Sequence, residues 1–191
     1  MRVAVSVPPS PLAKLTKTRK PFSVKLLAGK EVFMQIKDSG GEHRKFASGA
    51  VRDIDDNKGR CDLLPLGILA ECTKDPILGK IDRYVRTGNR TSLEEAILIF
   101  AKIVYEDVYT AFLEVSLHYR DGCIKYSERN WEKGIPLHSY IDSGVRHYLK
   151  YRRGDKDEPH DRAFLWNMFG ALWTHKHLPE FNDLPFRKET A

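Results

Sequence analysis

The clearest pattern of apolar positions along the chain predicts a long amphipathic helix in its middle. Apolar residues recur in steps of three and four, at positions 93, 97, 100, 104, 108, 112 and 115. Such steps place side chains on one face of an α-helix. Ser92 and Glu95 have the spacing of a capping box, so Ser92 is the predicted N-cap and the helix is predicted to run to about Tyr119. A single helix of that length indicates a helical bundle or a helix shared with a partner chain.

Two short helices are predicted before this long one. The apolar segment 63–69 follows Asp62 and has Pro65 near its start, an arrangement that favours the beginning of a helix. A second short helix is predicted over 76–85, ending before Gly88. Glycine readily takes the left-handed conformation with which many helices end.

Two longer helices are predicted after it. One covers about 139–153 and ends at Gly154, and within it Asp142 and Arg146 have the i,i+4 spacing of a surface ion pair. The last helix is predicted to begin at Pro159 and to fade near residue 177. These segments are separated by short turns, without the alternation of strands and helices that a parallel sheet requires.

The fold class predicted from this pattern is mainly α, a helical bundle with an irregular or short β N-terminal arm. Three parts of the chain differ in composition: a basic N-terminal arm over 1–45, a helical domain over 46–178 and a C-terminal tail over 179–191, which we expect to be loose. The arm can touch nucleic acid through its lysines and arginines, or it can be a solvated tail.

Composition restricts the class of protein without identifying its ligand. The chain has 191 residues, 41% of them hydrophobic and 30% charged, which suits a globular domain with an arm. The formal net charge of +6 favours anionic ligands, from nucleotides to nucleic acid. The three cysteines form no paired motif, so we expect neither a disulfide framework nor a zinc site. Without a signal sequence or a membrane-spanning run, a cytoplasmic protein with no membrane contact is expected.

The segment between Gly122 and Gly134 concentrates the residue types that recognise nucleotides. Aromatic faces stack on bases, an amide reads a base edge, and lysine or arginine meets phosphate. The segment supplies all of these as Lys125, Tyr126, Arg129, Asn130 and Trp131. It is therefore a candidate nucleotide-binding wall, and the alternative is a capped surface turn with one buried tryptophan.

A second candidate lies in a glycine-containing cationic cluster upstream. Arg52, Lys58 and Arg60 occur close to Gly49 and Gly59. Glycines let backbone N–H groups approach an anion, and the cations supply charge. The cluster can line a phosphate pocket or form ordinary ion pairs, and it is not a Walker-type phosphate loop.

The acidic run 155–161 is the candidate metal site. Asp155, Asp157 and Glu158 supply oxygen ligands of the kind that Mg²⁺ or Mn²⁺ takes, and Asp155, Glu158 and Asp161 would share a side if the segment were helical. The alternative is that these carboxylates oppose the dipole at the start of a helix, because Pro159 lies among them.

Two histidines are candidates for catalysis. His147 and His160 can each act as a general base or as a donor to phosphate. Asn167 follows His160 by two helical turns, so both side chains lie on one face, and Asn167 joins the candidate nucleotide-binding residues. Isolated histidines are also common structural residues, and this alternative stays open.

The order of short motifs along the chain resembles a known family. The motifs are SGAxRD at 48–53, DLLP at 62–65, KYxxRNW at 125–131, and then an RH, a GD, a histidine and a WN over 146–167. This order is similar to that of the phage and bacterial dATP/dGTP diphosphohydrolase N-terminal domains, which are associated with MazG-type nucleotide pyrophosphohydrolases. The resemblance covers residues 46 to about 175. It implies a phage-type protein that binds a purine deoxynucleotide and, with Mg²⁺ or Mn²⁺, releases the monophosphate and pyrophosphate from a dNTP.

The chain departs from the MazG pattern in its acidic motifs. MazG-type enzymes hold magnesium with paired E-x-x-E and E-x-x-D motifs, and this sequence contains no E-x-x-E. The nearest substitutes are in the 155–161 run, together with Glu106, Asp107 and Glu114. Residues 73–110 also resemble an insertion between two family blocks.

Three functional hypotheses therefore remain open. The first is a metal-dependent dNTP pyrophosphohydrolase, which we expect to be a homo-oligomer. The second is a non-catalytic protein that sequesters a nucleotide or a nucleotide-derived signal, such as a host defence messenger. The third is a structural protein whose basic arm, 1–45, tethers it to DNA or RNA.

Overall fold

A computed structural model describes residues 43–54 and 58–187 of the chain. Within this part a short antiparallel hairpin, β1 (His43–Lys45) and β2 (Val51–Asp53), precedes six α-helices. The helices are α1 (Leu66–Thr73), α2 (Pro76–Thr87), α3 (Arg90–Tyr105), α4 (Val108–Lys125), α5 (Leu137–Arg153) and α6 (His160–His177). The mainly α fold predicted from the sequence is confirmed. Residues 1–42 of the predicted basic arm lie outside the described residues.

The prediction of one helix from Ser92 to Tyr119 is wrong. Two helices, α3 and α4, take its place, because Glu106 has a positive φ of 68° and the chain turns there. Asp107 then caps α4, accepting hydrogen bonds from the backbone N–H groups of Tyr109 at 2.8 Å and Thr110 at 2.9 Å. The N-cap of α3 is Asn89, and Ser92 is buried inside the helix.

Both short predicted helices are present, and the residue that caps the second one is hydrogen-bonded to α5. Asp75 caps α2 by accepting from the N–H groups of Ile77 and Leu78. Its other carboxylate oxygen accepts from the Tyr148 hydroxyl at 2.5 Å and from Arg152 of α5. The helix ends at Gly88 in the left-handed conformation, as predicted.

Helices α5 and α6 approach each other closely, and glycines make this possible. A Cβ atom built on Gly170 would lie 2.3 Å from the ring of Tyr140, and one built on Gly144 would lie 2.2 Å from the terminal methyl of Met168. No side chain fits at such distances without a shift of its neighbour. The close approach brings the middle of α5 against the middle of α6, and the first turn of α5 against the second half of α6.

The pair Asp142–Arg146 is not the surface pair predicted from its spacing. Asp142 is buried, and it also accepts a hydrogen bond from the backbone N–H of Cys61 at 2.6 Å. Arg146 bonds the second oxygen of Asp142 and donates to the Gly59 carbonyl at 2.7 Å. The pair thereby fixes the loop after the hairpin against α5.

The expectation of a loose C-terminal tail is wrong for the described residues 179–187. Leu184 is buried, and the Phe186 ring packs 6.1 Å from the ring of Tyr84. Phe181 lies against Gly134, whose φ of 103° requires a residue without a side chain. These contacts make the segment part of the core. No helix among the described residues combines the length and apolar character needed to cross a membrane.

Candidate functional site

Three potential metal ligands converge where α5 meets α6. The Nδ1 atom of His147, on α5, lies 3.0 Å from the Nδ1 atom of His160, the first residue of α6. The Oε1 atom of Glu158, in the loop between the helices, lies 3.6 Å from the first nitrogen and 3.4 Å from the second. Ligand atoms that each lie about 2.1 Å from one cation are separated by roughly 3.0–3.5 Å. The three atoms therefore have the spacing of one face of a coordination shell.

Protonation also favours cation binding at this cluster. Burial holds the pKa of His147 well below its usual range, and the nearby His160, His118 and Arg52 lower it further. The imidazole is therefore neutral at pH 7, which is the form that binds metal ions. The two Nδ1 atoms can share at most one proton, so one of them presents a lone pair to the other or to a cation.

A second acidic group extends the cluster toward solvent. Asp157 lies 2.8 Å from the other nitrogen of His160, Nε2, and contacts Lys150 at 3.2 Å. Although burial opposes the shift, the hydrogen bonds from His160 and Lys150 lower the pKa of Asp157 to about 2. Asp155, Asp157 and His160 form an alternative set of potential ligands, but Asp155 also accepts a hydrogen bond from Arg153 at 2.7 Å.

The other acidic residues considered as substitutes for the E-x-x-E motif do not join this cluster. Residues 155–159 precede α6 and are not helical, so Asp155, Glu158 and Asp161 do not share a helix face. Asp161 accepts from the Tyr105 hydroxyl at 2.8 Å. Asp107 caps α4, and Glu114 pairs with Arg162.

Arg52 is a half-buried cation that makes no ion pair within the described part of the chain, although the charges of Asp142 and Asp53 act on it. Its Nη2 atom donates to the side-chain oxygen of Asn167 at 2.8 Å. The guanidinium carbon lies 5.2 Å from the ring centre of Tyr140 and 5.5 Å from that of Trp166. Burial lowers the pKa of Arg52. Its Nη1 atom is buried and has no hydrogen-bond partner.

His118 belongs to the same neighbourhood, although the sequence analysis did not identify it. Burial lowers the pKa of His118 to about 4, and its Nδ1 atom is buried without a partner. Its ring lies 5.9 Å from that of Trp166. The sequence does contain a signal for a buried histidine here, because a further step of three from Val115 on the apolar stripe reaches position 118. A histidine on a buried stripe is a candidate polar group inside the bundle.

The Gly122–Gly134 segment holds the hairpin in place. Gly122 lies within α4, so it does not bound a turn. Asn130 accepts from the Val51 N–H at 2.9 Å and donates to the Val51 carbonyl at 2.8 Å. Lys125 and the Tyr126 hydroxyl both bond the carboxylate of Asp53, at 2.8 and 2.6 Å. The segment is therefore hydrogen-bonded to Val51 and Asp53, the residues on either side of Arg52. Its role in nucleotide binding stays a prediction.

The other predicted nucleotide-binding residues are more dispersed. Arg129 is mostly exposed and pairs with Glu132, and the Lys58 amine donates to the Ile54 carbonyl at 2.7 Å. Trp131 lines an open, mainly apolar cleft of about 240 Å³ together with Tyr119 and Trp166. The structure thus pairs Arg52 with Asn167 and His147 with His160, and it leaves Arg129 in an exposed ion pair.

A polar cleft of about 320 Å³ opens beside Arg52. Its walls come from the hairpin, the loop after it and the first turns of α5. The lining residues are Arg44, Arg52, Asp53, Arg60, His138, Ser139, Asp142 and Ser143. Arg52 and Arg60 of the predicted phosphate cluster are among them. Arg60 also bonds Asp62 through two nitrogens.

Comparison with known proteins gives one family. Residues 98–184 match the family model described as dATP/dGTP diphosphohydrolase, N-terminal. No curated protein and no solved structure matches the chain. The matched residues include α4, α5, α6 and the KYxxRNW block, whereas the hairpin and the DLLP block precede them.

Proposed function

We propose that this chain, whose residues 98–184 carry the N-terminal domain of the dATP/dGTP diphosphohydrolase family, binds a purine deoxynucleoside triphosphate and hydrolyses it to the monophosphate and pyrophosphate. In this reaction a water oxygen bonds to the α-phosphorus, and the bond to the oxygen that bridges the α- and β-phosphates breaks. Pyrophosphate leaves with the bonding electron pair, and the water proton passes to solvent or to a product phosphate.

The observation that carries the proposal is the spacing of His147, Glu158 and His160. Their donor atoms, 3.0 to 3.6 Å apart, fit a divalent cation as a group, and the cluster is largely buried. A bound cation would neutralise phosphate charge and acidify water. Two imidazoles in the donor set favour a transition cation such as Mn²⁺ over Mg²⁺.

The assignment of these residues differs from the sequence-based hypothesis. His147 and His160, predicted to be catalytic, are here proposed as ligands beside Glu158, while Asp157 orients His160 through its Nε2 atom. Hydrogen bonds of this kind fix the ring orientation and tautomer of a metal-binding histidine. Asp155 remains a candidate only through the second, more exposed group.

The test is product analysis with each of the four dNTPs in the presence of Mn²⁺ or Mg²⁺. We expect dAMP or dGMP to form with an equal amount of pyrophosphate. Glu158→Gln should lower the rate by at least about 10–100-fold, because it removes a ligand charge. Glu94→Gln, which alters an exposed pair with Arg90, is the matched control. Absence of pyrophosphate with every dNTP and both cations would contradict the proposal.

The second candidate function is binding without turnover, in which the protein sequesters a nucleotide. It is favoured by one specific observation, the lack of the E-x-x-E motif of MazG-type enzymes. Calorimetry with dATP distinguishes the two functions, because a sequestering protein would bind the nucleotide in EDTA as tightly as in Mn²⁺ and leave it intact.

A further inference from the structure

We propose that Arg52 and the polar cleft that it lines form an anion subsite for the phosphate groups of a nucleotide. The primary observation is the Arg52 guanidinium, which is buried with its Nη1 atom unpartnered and makes no ion pair within the described residues. The inference rests on the proposed function only for the identity of the anion as part of a nucleotide.

Burial of the Arg52 guanidinium is costly, because Asp142 and Asp53 act on its charge only from a distance and neither forms an ion pair with it. Removing an ion from water costs several kcal/mol even after the surroundings relax. The Asn167 oxygen and the rings of Tyr140 and Trp166 recover part of this through one hydrogen bond and two cation–π contacts, but none of them carries a charge. A negatively charged group that bonds Nη1 would satisfy this free donor and give the guanidinium the ion pair that it lacks among the described residues.

The two carboxylates in the cleft wall do not take this role. Asp53 is occupied by Lys125 and the Tyr126 hydroxyl, and Asp142 by Arg146 and the Cys61 N–H. Both carboxylates therefore have their hydrogen bonds and ion pairs with residues other than Arg52.

The rest of the lining favours an anion. Arg44 adds positive charge, Arg60 adds a guanidinium that is already paired with Asp62, and Ser139 and Ser143, from the first turns of α5, add hydroxyl groups. Guanidinium groups match the tetrahedral oxygens of phosphate well, and the cleft is open to solvent on one side, so a phosphate group can enter it.

The position of Arg52 connects this subsite to the candidate metal cluster. Its partner Asn167 lies two helical turns after His160 on α6, so one helix carries both a contact of Arg52 and a residue of the candidate metal cluster. The hairpin supplies one end of the site and the α5–α6 junction supplies the other.

The experiment uses the full chain in EDTA, with inorganic pyrophosphate and metal-free dATP as separate probes. Thermal melting and isothermal titration follow binding. We expect both probes to raise the melting temperature and Arg52→Met to weaken their binding by at least 10-fold. Without ligand, Arg52→Met should melt at or above the wild-type temperature, because a desolvated charge that makes no ion pair is removed. Arg86→Met, which alters an exposed arginine paired with Asp82, is the matched control.

A second variant keeps the test decisive if Arg52→Met does not fold. Ser143→Asp places a carboxylate in the cleft without removing Arg52, and it should abolish pyrophosphate binding. Wild-type protein that binds neither probe, or either variant binding like wild type, would overturn the inference. Loss of binding in the variants without dNTP hydrolysis by wild type would support the subsite while contradicting the proposed function. Hydrolysis that persists unchanged in both variants would contradict the subsite alone.

Discussion

The Nδ1 atoms of His147 and His160 lie 3.0 Å apart, although the two residues are separated by 13 positions and sit on different helices. Two imidazole nitrogens at this distance cannot both carry a proton, so either one shared proton or one cation joins them. Glu158 completes a triangle with them. The close packing at Gly144 and Gly170 holds the same two helices together farther along their contact.

Stability should fall as the pH is lowered from about 6.5 toward 4. The unfolded chain protonates His118 near pH 6.5, whereas the folded protein protonates it only near its lowered pKa of about 4. The unfolded state therefore binds more protons in this window, and the free energy of unfolding decreases by up to about 1.4 kcal/mol per pH unit for this group. Urea unfolding between pH 7.5 and 4.5 in EDTA measures it.

The matched comparison for this pH effect is His118→Gln against His177→Gln. Glutamine at position 118 removes the titrating group, so the dependence of stability on pH should become shallower by about 1.4 kcal/mol per unit. His177 is exposed, and its replacement should leave the slope unchanged. A slope in His118→Gln equal to that of wild type would show that His118 is not buried in its neutral form.

Asn130→Ala should destabilise the protein by about 2–3 kcal/mol. The substitution removes both hydrogen bonds to Val51 and leaves the N–H and carbonyl groups of that residue without these partners, although β2 still pairs with β1. Thermal melting should show a decrease of roughly 5–10 °C for a domain of this size. A variant that keeps its melting temperature but loses nucleotide affinity would instead support the prediction that Asn130 reads a base edge.

Gly170→Ala and Gly122→Ala should change stability in opposite directions. A methyl group at position 170 would meet the Tyr140 ring and cost about 1–3 kcal/mol, whereas nothing lies within 4 Å of the same group at position 122. Because Gly122 lies within α4, alanine there should stabilise the protein by about 0.5–1 kcal/mol. Urea unfolding of the two variants tests the helix contact, and equal effects would contradict the close approach of α5 and α6.

Much of the helical fold could be predicted from local signals. Gly88 and Gly154 end α2 and α5 as expected, because a left-handed residue is a local requirement of the helix terminus. The break at Glu106 could not be predicted from periodicity, since the apolar stripe continues across it into α4. Asp107 has the residue type of an N-cap, but it becomes one only because the chain turns at the preceding residue.

The candidate site was predictable in its residue types but not in its pairings. His147, His160 and Glu158 stood out by their chemistry, yet their common centre depends on how α5 and α6 pack. Arg52 was expected to meet a phosphate, but its partner Asn167 lies 115 residues away and could not be identified from spacing. Asn130 was expected to read a base edge, but in the folded protein its amide bonds the backbone of Val51.

The central claim, that His147, Glu158 and His160 bind one divalent cation, is tested most directly by titrating metal-free protein with Mn²⁺ and Mg²⁺ in a calorimeter. The account predicts one Mn²⁺ per chain, bound more tightly than Mg²⁺, with affinity lowered at least 10–100-fold in His160→Ala and unchanged in His177→Ala. Equal Mn²⁺ affinity in wild type and His160→Ala, or no binding by wild type, would contradict it.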